Sequence, residues 1–194
     1  MRSITRSCFL PLIMVFSAAL SGCSTAPKAK DQAGFLDKAK STTEWFQASV
    51  PGLSKQIDQS AGFVIFPDVA KWGILYGGGT FGRGALCAAD GTQIGWAALN
   101  TGSIGLQAGI EGFRMLMVIQ DKATLTKFKA NQLSGSVSAT IVAVDKGASG
   151  SAPFQNGLAV YEGANKGLMA GMNIGLDFVR YQPMNSTETP GDLR

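Results

Sequence analysis

Twelve of the 25 glycines in this 194-residue chain fall between Gly73 and Gly112, among apolar runs too short and too closely spaced to be helices. Glycine inside a strand costs conformational entropy and brings no side chain to pack, so this density needs a structural reason. Several glycines share strand parity, as Gly105 with Gly109, and Gly167 and Gly171 with Gly175. Residues four apart on a strand point to the same face. One face of these strands therefore lacks side chains. That permits tight curvature with close backbone packing, or a groove for an apolar ligand. The fold expected is α+β: a mainly antiparallel, strongly curved or barrel-like glycine-rich sheet, with N-terminal helices and one short internal helix.

The elements follow from local pattern. Phe35, Ala39, Trp45 and Phe46 recur at roughly helical spacing and predict a helix over 31–49. Pro51 and Gly62 bracket a second short helix, with Leu53 and Ile57 on one face. Phe63 to Phe66 is a short apolar run closed by Pro67-Asp68. Strands are then expected at 74–76, 85–89, 93–99, 103–110, 113–119, 137–144, 157–161 and 168–179. Asp90-Gly91 is a two-residue hairpin signal, and Asn100-Thr101-Gly102 reads as a further turn. Asp121 can cap a helix over 122–130 that turns Leu125 and Phe128 inward. Neighbouring strands are too close for helical crossovers, which predicts an antiparallel meander.

The chain begins with Arg2 and Arg6 and no acid, then an apolar run from Cys8 to Leu20, then Ser21-Gly22-Cys23. A basic end, a short apolar core and a small-residue cleavage site form the layout of an export signal. The run is shorter than the roughly 20 residues a spanning helix needs. Removing residues 1–22 leaves 172, enough for one domain with a sizeable core. It also removes two of the 17 basic residues, leaving 15 against 13 acids and a net charge of +2. No dense basic stripe remains, so nucleic acid is not an expected partner.

The chain has no histidine. This excludes Ser-His-Asp and Cys-His catalysis and histidine-ligated zinc. Cys87 lies in the apolar run Gly84-Ala85-Leu86-Cys87-Ala88-Ala89 and reads as a small buried residue. The carboxylates are scattered singly. A non-enzymatic protein without metal or cofactor is expected. Gly77-Gly78-Gly79-Thr80-Phe81-Gly82 matches the dinucleotide spacing G-x-G-x-x-G, but no helix follows to hold a pyrophosphate.

Leu20-Ser21-Gly22-Cys23 resembles the lipobox of bacterial lipoproteins. The resemblance implies cleavage before Cys23, diacylation of its sulfur and acylation of its new amino group. Ser24 stands where aspartate would retain a lipoprotein in the inner membrane, which implies an outer-membrane anchor. The organisation expected is a signal over 1–22, an acylated tether over 23–33, one domain over 34–182 and a flexible polar tail over 183–194.

Ile65-Phe66-Pro67, Lys71-Trp72-Gly73, Gly77-Gly78-Gly79, Gly82-Arg83-Gly84, Gly105-Leu106-Gln107-Ala108-Gly109 and Lys166-Gly167-Leu168-Met169-Ala170-Gly171 occur in that order. Together they resemble the SYLF domain of eukaryotic phosphoinositide-binding and actin-patch proteins and of bacterial lipoproteins. The resemblance covers roughly residues 35–181. It implies non-catalytic binding of membrane phospholipid through basic residues. The chain departs from the family at Trp96-Ala97-Ala98-Leu99 and around Val144-Asp145-Lys146-Gly147.

The residues expected to meet an acidic headgroup are Lys71 beside Trp72, glycine-flanked Arg83, the helix lysines Lys122, Lys127 and Lys129, and Lys166 in the last turn. The function expected is an outer-membrane lipoprotein whose domain binds anionic phospholipid. The alternative is an envelope scaffold with a protein partner and no specific lipid affinity.

Overall fold

A computed structural model describes residues 25–74, 77–104, 109–133, 141–144, 150–164 and 179–194. It is α+β. After one 3-10 turn at Ala29–Asp31, the helices are α1 (Gln32–Ser49), α2 (Leu53–Asp58) and α3 (Lys122–Lys129). The strands are β1 (Gly62–Ile74), β2 (Gly77–Cys87), β3 (Gln93–Ile104), β4 (Gly109–Ile119), β5 (Ile141–Ala143), β6 (Leu158–Ala164) and β7 (Val179–Pro183).

The strands form one mixed sheet in the order β5-β6-β4-β1-β2-β3-β7, antiparallel except for β5 against β6. Among the described residues the sheet is open, with β5 and β7 at its edges. The meander holds only from β1 to β3. β4 returns to lie beside β1, giving the 4-1-2-3 order of a Greek key.

Two apolar clusters sandwich the sheet. On its front face Phe63, Ile65, Ala85, Cys87, Leu116 and Tyr161 pack under α1 and α2, which contribute Ala39, Phe46, Leu53 and Ile57. On its back face Val64, Leu86, Leu99, Met115, Ile119 and Val160 pack with Phe128 of α3. The alternation of Phe63, Val64 and Ile65 between clusters is the two-residue period of a strand buried on both sides. In α1 the buried positions Ala39, Thr42, Thr43 and Phe46 fall at helical spacing. Asp121 caps α3 as expected, its Oδ1 accepting from the Thr124 N–H at 2.8 Å.

Two turn expectations fail because strand pairing overrides local punctuation, and a third, the Asp90-Gly91 hairpin, forms with a longer turn. Pro67-Asp68 does not end a strand. β1 runs through it on a bulge, its register shifting against both β2 and β4 between Ile65 and Val69. A bulge lets a residue without an N–H sit in a central strand. Asn100-Thr101-Gly102 likewise continues β3, paired to Phe81-Thr80-Gly79. Between β2 and β3 the turn spans five residues rather than two. Cys87 faces Gln93 across it, and the Ala88 N–H donates to the Thr92 carbonyl. Gly91 there has φ +92°, which glycine adopts without strain.

Both ends of the domain differ from expectation. Within the expected tether, the Thr25 N–H donates to Gln182 Oε1 at 3.0 Å, and Ala26 is buried. The expected tail packs onto the front face. Leu193 is buried among Ala39, Cys87 and Val118, and its N–H donates to the Gly91 carbonyl. Arg194 reaches Asp58 on α2 at 2.5 Å and the Ala89 carbonyl at 3.0 Å. Glu188 accepts from Trp96 Nε1 at 3.0 Å and Gln32 Nε2 at 2.8 Å.

The outer edge of β7 is also covered. The Tyr181 N–H donates to Asn131 Oδ1 at 2.6 Å, and Asn131 Nδ2 donates back to the Tyr181 carbonyl at 3.4 Å. One side-chain amide thus stands where the next strand would pair, which blunts edge-to-edge association.

Candidate functional site

α1 crosses the front face near the middle of the strands. Phe35 meets the Trp96 ring on β3 with centroids 5.7 Å apart, Lys38 reaches Asp68 on β1 at 2.6 Å, and Trp45 lies against Gly163 on β6. Beyond α1 the far ends of β1, β2 and β3 carry Trp72, Phe81 and Asn100 at their surface. Trp72 and Phe81 are the exposed large apolar side chains among the described residues, at 46% and 54%.

Register places them on one face. Phe81 lies between Ala70 and Asn100, and Trp72 pairs with Gly79, which pairs with Gly102. Partners across a ladder point the same way, and so do residues two apart on a strand. Trp72, Gly79, Phe81, Asn100 and Gly102 therefore share the front face, and they line a groove of about 370 Å³. Arg83, two residues from Phe81, projects from that face as well and is exposed.

The glycines divide between the two roles left open by sequence. In the covered half, a Cβ on Gly84 would come within 2.7 Å of the Phe66 ring, so close packing requires glycine there. Gly102 in the uncovered half is different. A Cβ there would meet nothing within 4 Å, so packing does not account for it. It forms open floor.

The expected basic residues are not brought together. Lys71 precedes Trp72 on β1 and so points to the opposite face, the back, with Val69. This corrects the expectation of a paired cation and ring. Lys122, Lys127 and Lys129 are exposed on α3, also across the back face, beside the Ile119 end of β4. Lys166 and Cys23 lie outside the described residues. Of the expected basic residues that are described, Arg83 alone shares the groove's face with Trp72. Asp68, its cross-strand neighbour, is engaged by Lys38. Among the described residues Arg83 itself makes no hydrogen bond or ion pair.

Phe81 was not among the expected site residues. Its signal is visible once Gly77-Gly78-Gly79 is read as strand rather than loop. Residues 72–74, 77–81 and 101–104 then end at the same edge of the sheet, and none of them is charged.

Ionisable groups elsewhere are structural. Burial pushes the Cys87 thiol far above its ordinary value of 9.0, helped by Asp90 and Asp192, so it is unreactive. Burial likewise raises Tyr161 and Tyr181. Hydrogen bonds from Thr92 hold Asp90 below its ordinary 3.8, and those from Thr124 do the same for Asp121. For Glu188 burial acts upward, but donors on Trp96, Asn185 and Gln32 outweigh it and leave the carboxyl low.

Lowered carboxyls contribute stability that is complete above their ordinary values and lost as pH falls through the folded ones. Raised thiol and phenol groups contribute below about 9 and lose it at higher pH. With no histidine between these ranges, thermal melts should give a flat midpoint from about pH 5.5 to 8, falling below about pH 4 and again in alkali. A step near pH 6.5 would contradict this assignment.

Among the described residues no three of His, Cys, Asp or Glu gather as metal ligands, and no helix is long and apolar enough to cross a membrane. No protein-family model matches the chain, and no curated protein matches it.

Proposed function

We propose that this chain is an outer-membrane lipoprotein of the SYLF type, anchored through acylated Cys23, whose domain binds anionic phospholipid without catalysing a reaction. The observation that carries the reading is the front groove. Two exposed aromatic side chains flank a glycine floor, and a guanidinium without an ion pair among the described residues projects from the same face. Tryptophan favours the level of lipid headgroups, where an apolar ring with a polar edge meets both phases. Arg83 supplies a planar donor set matched to phosphate oxygens. The lipobox-like signal and the ordered motifs from Ile65 to Gly171 support the same reading.

The test is flotation of the mature chain with Cys23→Ser, so that no acyl chain contributes. It should float with phosphatidylglycerol vesicles more than with phosphatidylcholine vesicles, and less as salt rises. Arg83→Glu should abolish the difference between the two lipids. Equal recovery with both vesicle types, or an unchanged preference in R83E, would contradict the proposal. Recovery of an envelope protein without any lipid affinity would support a scaffold instead.

Gly102→Val separates groove from fold. Nothing lies where the new side chain would go. Replacing strand glycine by a β-branched residue should leave stability unchanged or raise it by up to about 1 kcal/mol. The same substitution narrows the groove and should weaken vesicle binding. A melt and a flotation on one variant check both halves.

A further inference from the structure

The groove and Thr25, the first described residue, lie on the same face of the sheet and close together. The chain is fastened to the sheet by the Thr25–Gln182 hydrogen bond, and Ala26 is buried just after it. Gln182 pairs with Trp96, whose ring meets α1 on the front face. Register partners share a face, so the fastening point is on the front. Asn100, which lines the groove, is four residues from Trp96 on the same strand and faces the same way. Four residues of strand span about 13 Å and one strand spacing about 5 Å, so groove and fastening point are on the order of 14 Å apart. Cys23 precedes Thr25 by two residues, which reach at most about 7 Å when extended.

An eleven-residue tether over 23–33 would have let the domain swing roughly 36 Å from its anchor. The docked segment removes that freedom. A bilayer is about 40–45 Å thick including headgroups. A bilayer holding acyl chains on Cys23 would lie within that short reach of the front face.

We propose that the groove engages the bilayer that anchors Cys23, in cis, and does not bridge to a second membrane or extract lipid from one. The inference rests on the lipoprotein and lipid-binding reading above. In this arrangement Trp72, Gly79, Phe81 and Gly102 and the acylated N-terminus meet one lipid surface together. The acyl chains supply the affinity. Trp72, Phe81 and Arg83 set the orientation of the body against the headgroups.

The test uses the lipidated mature protein reconstituted in phosphatidylglycerol-containing vesicles. Emission from Trp72 is isolated by subtracting a Trp72→Phe variant. Lipids with brominated acyl chains are placed either in the same vesicles or in added protein-free vesicles. The expected result is loss of Trp72 emission with brominated lipid in the same vesicle, no loss from the added vesicles and no vesicle clustering. Loss caused by the added vesicles would overturn the cis arrangement in favour of bridging. No loss in either arm, with the Cys23→Ser chain still floating on anionic vesicles, would overturn the cis arrangement while leaving the lipid reading intact. No loss in either arm and no flotation would overturn both.

Discussion

Replacing Trp72 and Phe81 together by serine should lower the affinity of the Cys23→Ser chain for anionic vesicles by about a hundredfold. The two rings are about half exposed, each offering on the order of 100 Å² of apolar surface to an interface. At about 25 cal/mol per Å², full burial of both would contribute about 5 kcal/mol; partial immersion at the headgroup level halves that, and 1.4 kcal/mol is tenfold. Neither side chain supports the core, so the melting temperature should change little. Titration of vesicles followed by sedimentation measures the first quantity and a thermal melt the second. An affinity within threefold of the unsubstituted protein would move the lipid contact elsewhere, with the α3 lysines as the next surface to examine.

Leu193→Ala should destabilise the fold by about 3 kcal/mol, although Leu193 is the last residue but one of the sequence. Leu193 is 1% exposed and packs under α1 with Cys87 and Val118. Burying and then truncating such a side chain costs roughly 2–5 kcal/mol, depending on how far the surroundings collapse. For a domain of this size that is a fall of roughly 6–12 °C in melting temperature. Deleting residues 191–194 should cost more, because the Gly191 carbonyl and the Arg194–Asp58 pair are lost as well. A fall below about 2 °C for the alanine variant would return 183–194 to the polar tail that its composition suggests.

What sequence pattern made legible was local. The Phe35–Phe46 spacing located α1 to within a residue, and Asp121 with Phe128 located α3. Both depend on contacts three or four residues apart. Cys87 was legible as buried because its whole run is apolar. The misread stretches are those decided by distant partners. Pro67 reads as a stop, but β2 and β4 pair on both sides of its bulge. No strand is expected from pattern over 77–84, but Gly77–Gly79 pairs with Trp72-Gly73-Ile74 on one side and with Gly102-Ser103-Ile104 on the other. Leu193 is a single apolar residue in polar surroundings, and only the Ala39–Val118 pocket gives it meaning.

Of the residues singled out by sequence, Trp72 and Arg83 share one face of the sheet, and Phe81 joins them. Lys71 and Trp72 are adjacent in sequence, but strand parity sends adjacent residues to opposite faces. The α3 lysines are on the far side of the sheet from the groove.

Trp72 emission from the Cys23→Ser chain, read against its Trp72→Phe variant on phosphatidylglycerol vesicles, tests the proposal that the groove binds lipid most directly. The groove predicts a blue shift on binding and quenching by brominated acyl chains, both absent in W72F. Vesicle binding with Trp72 emission unchanged would contradict it, and so would no binding at all.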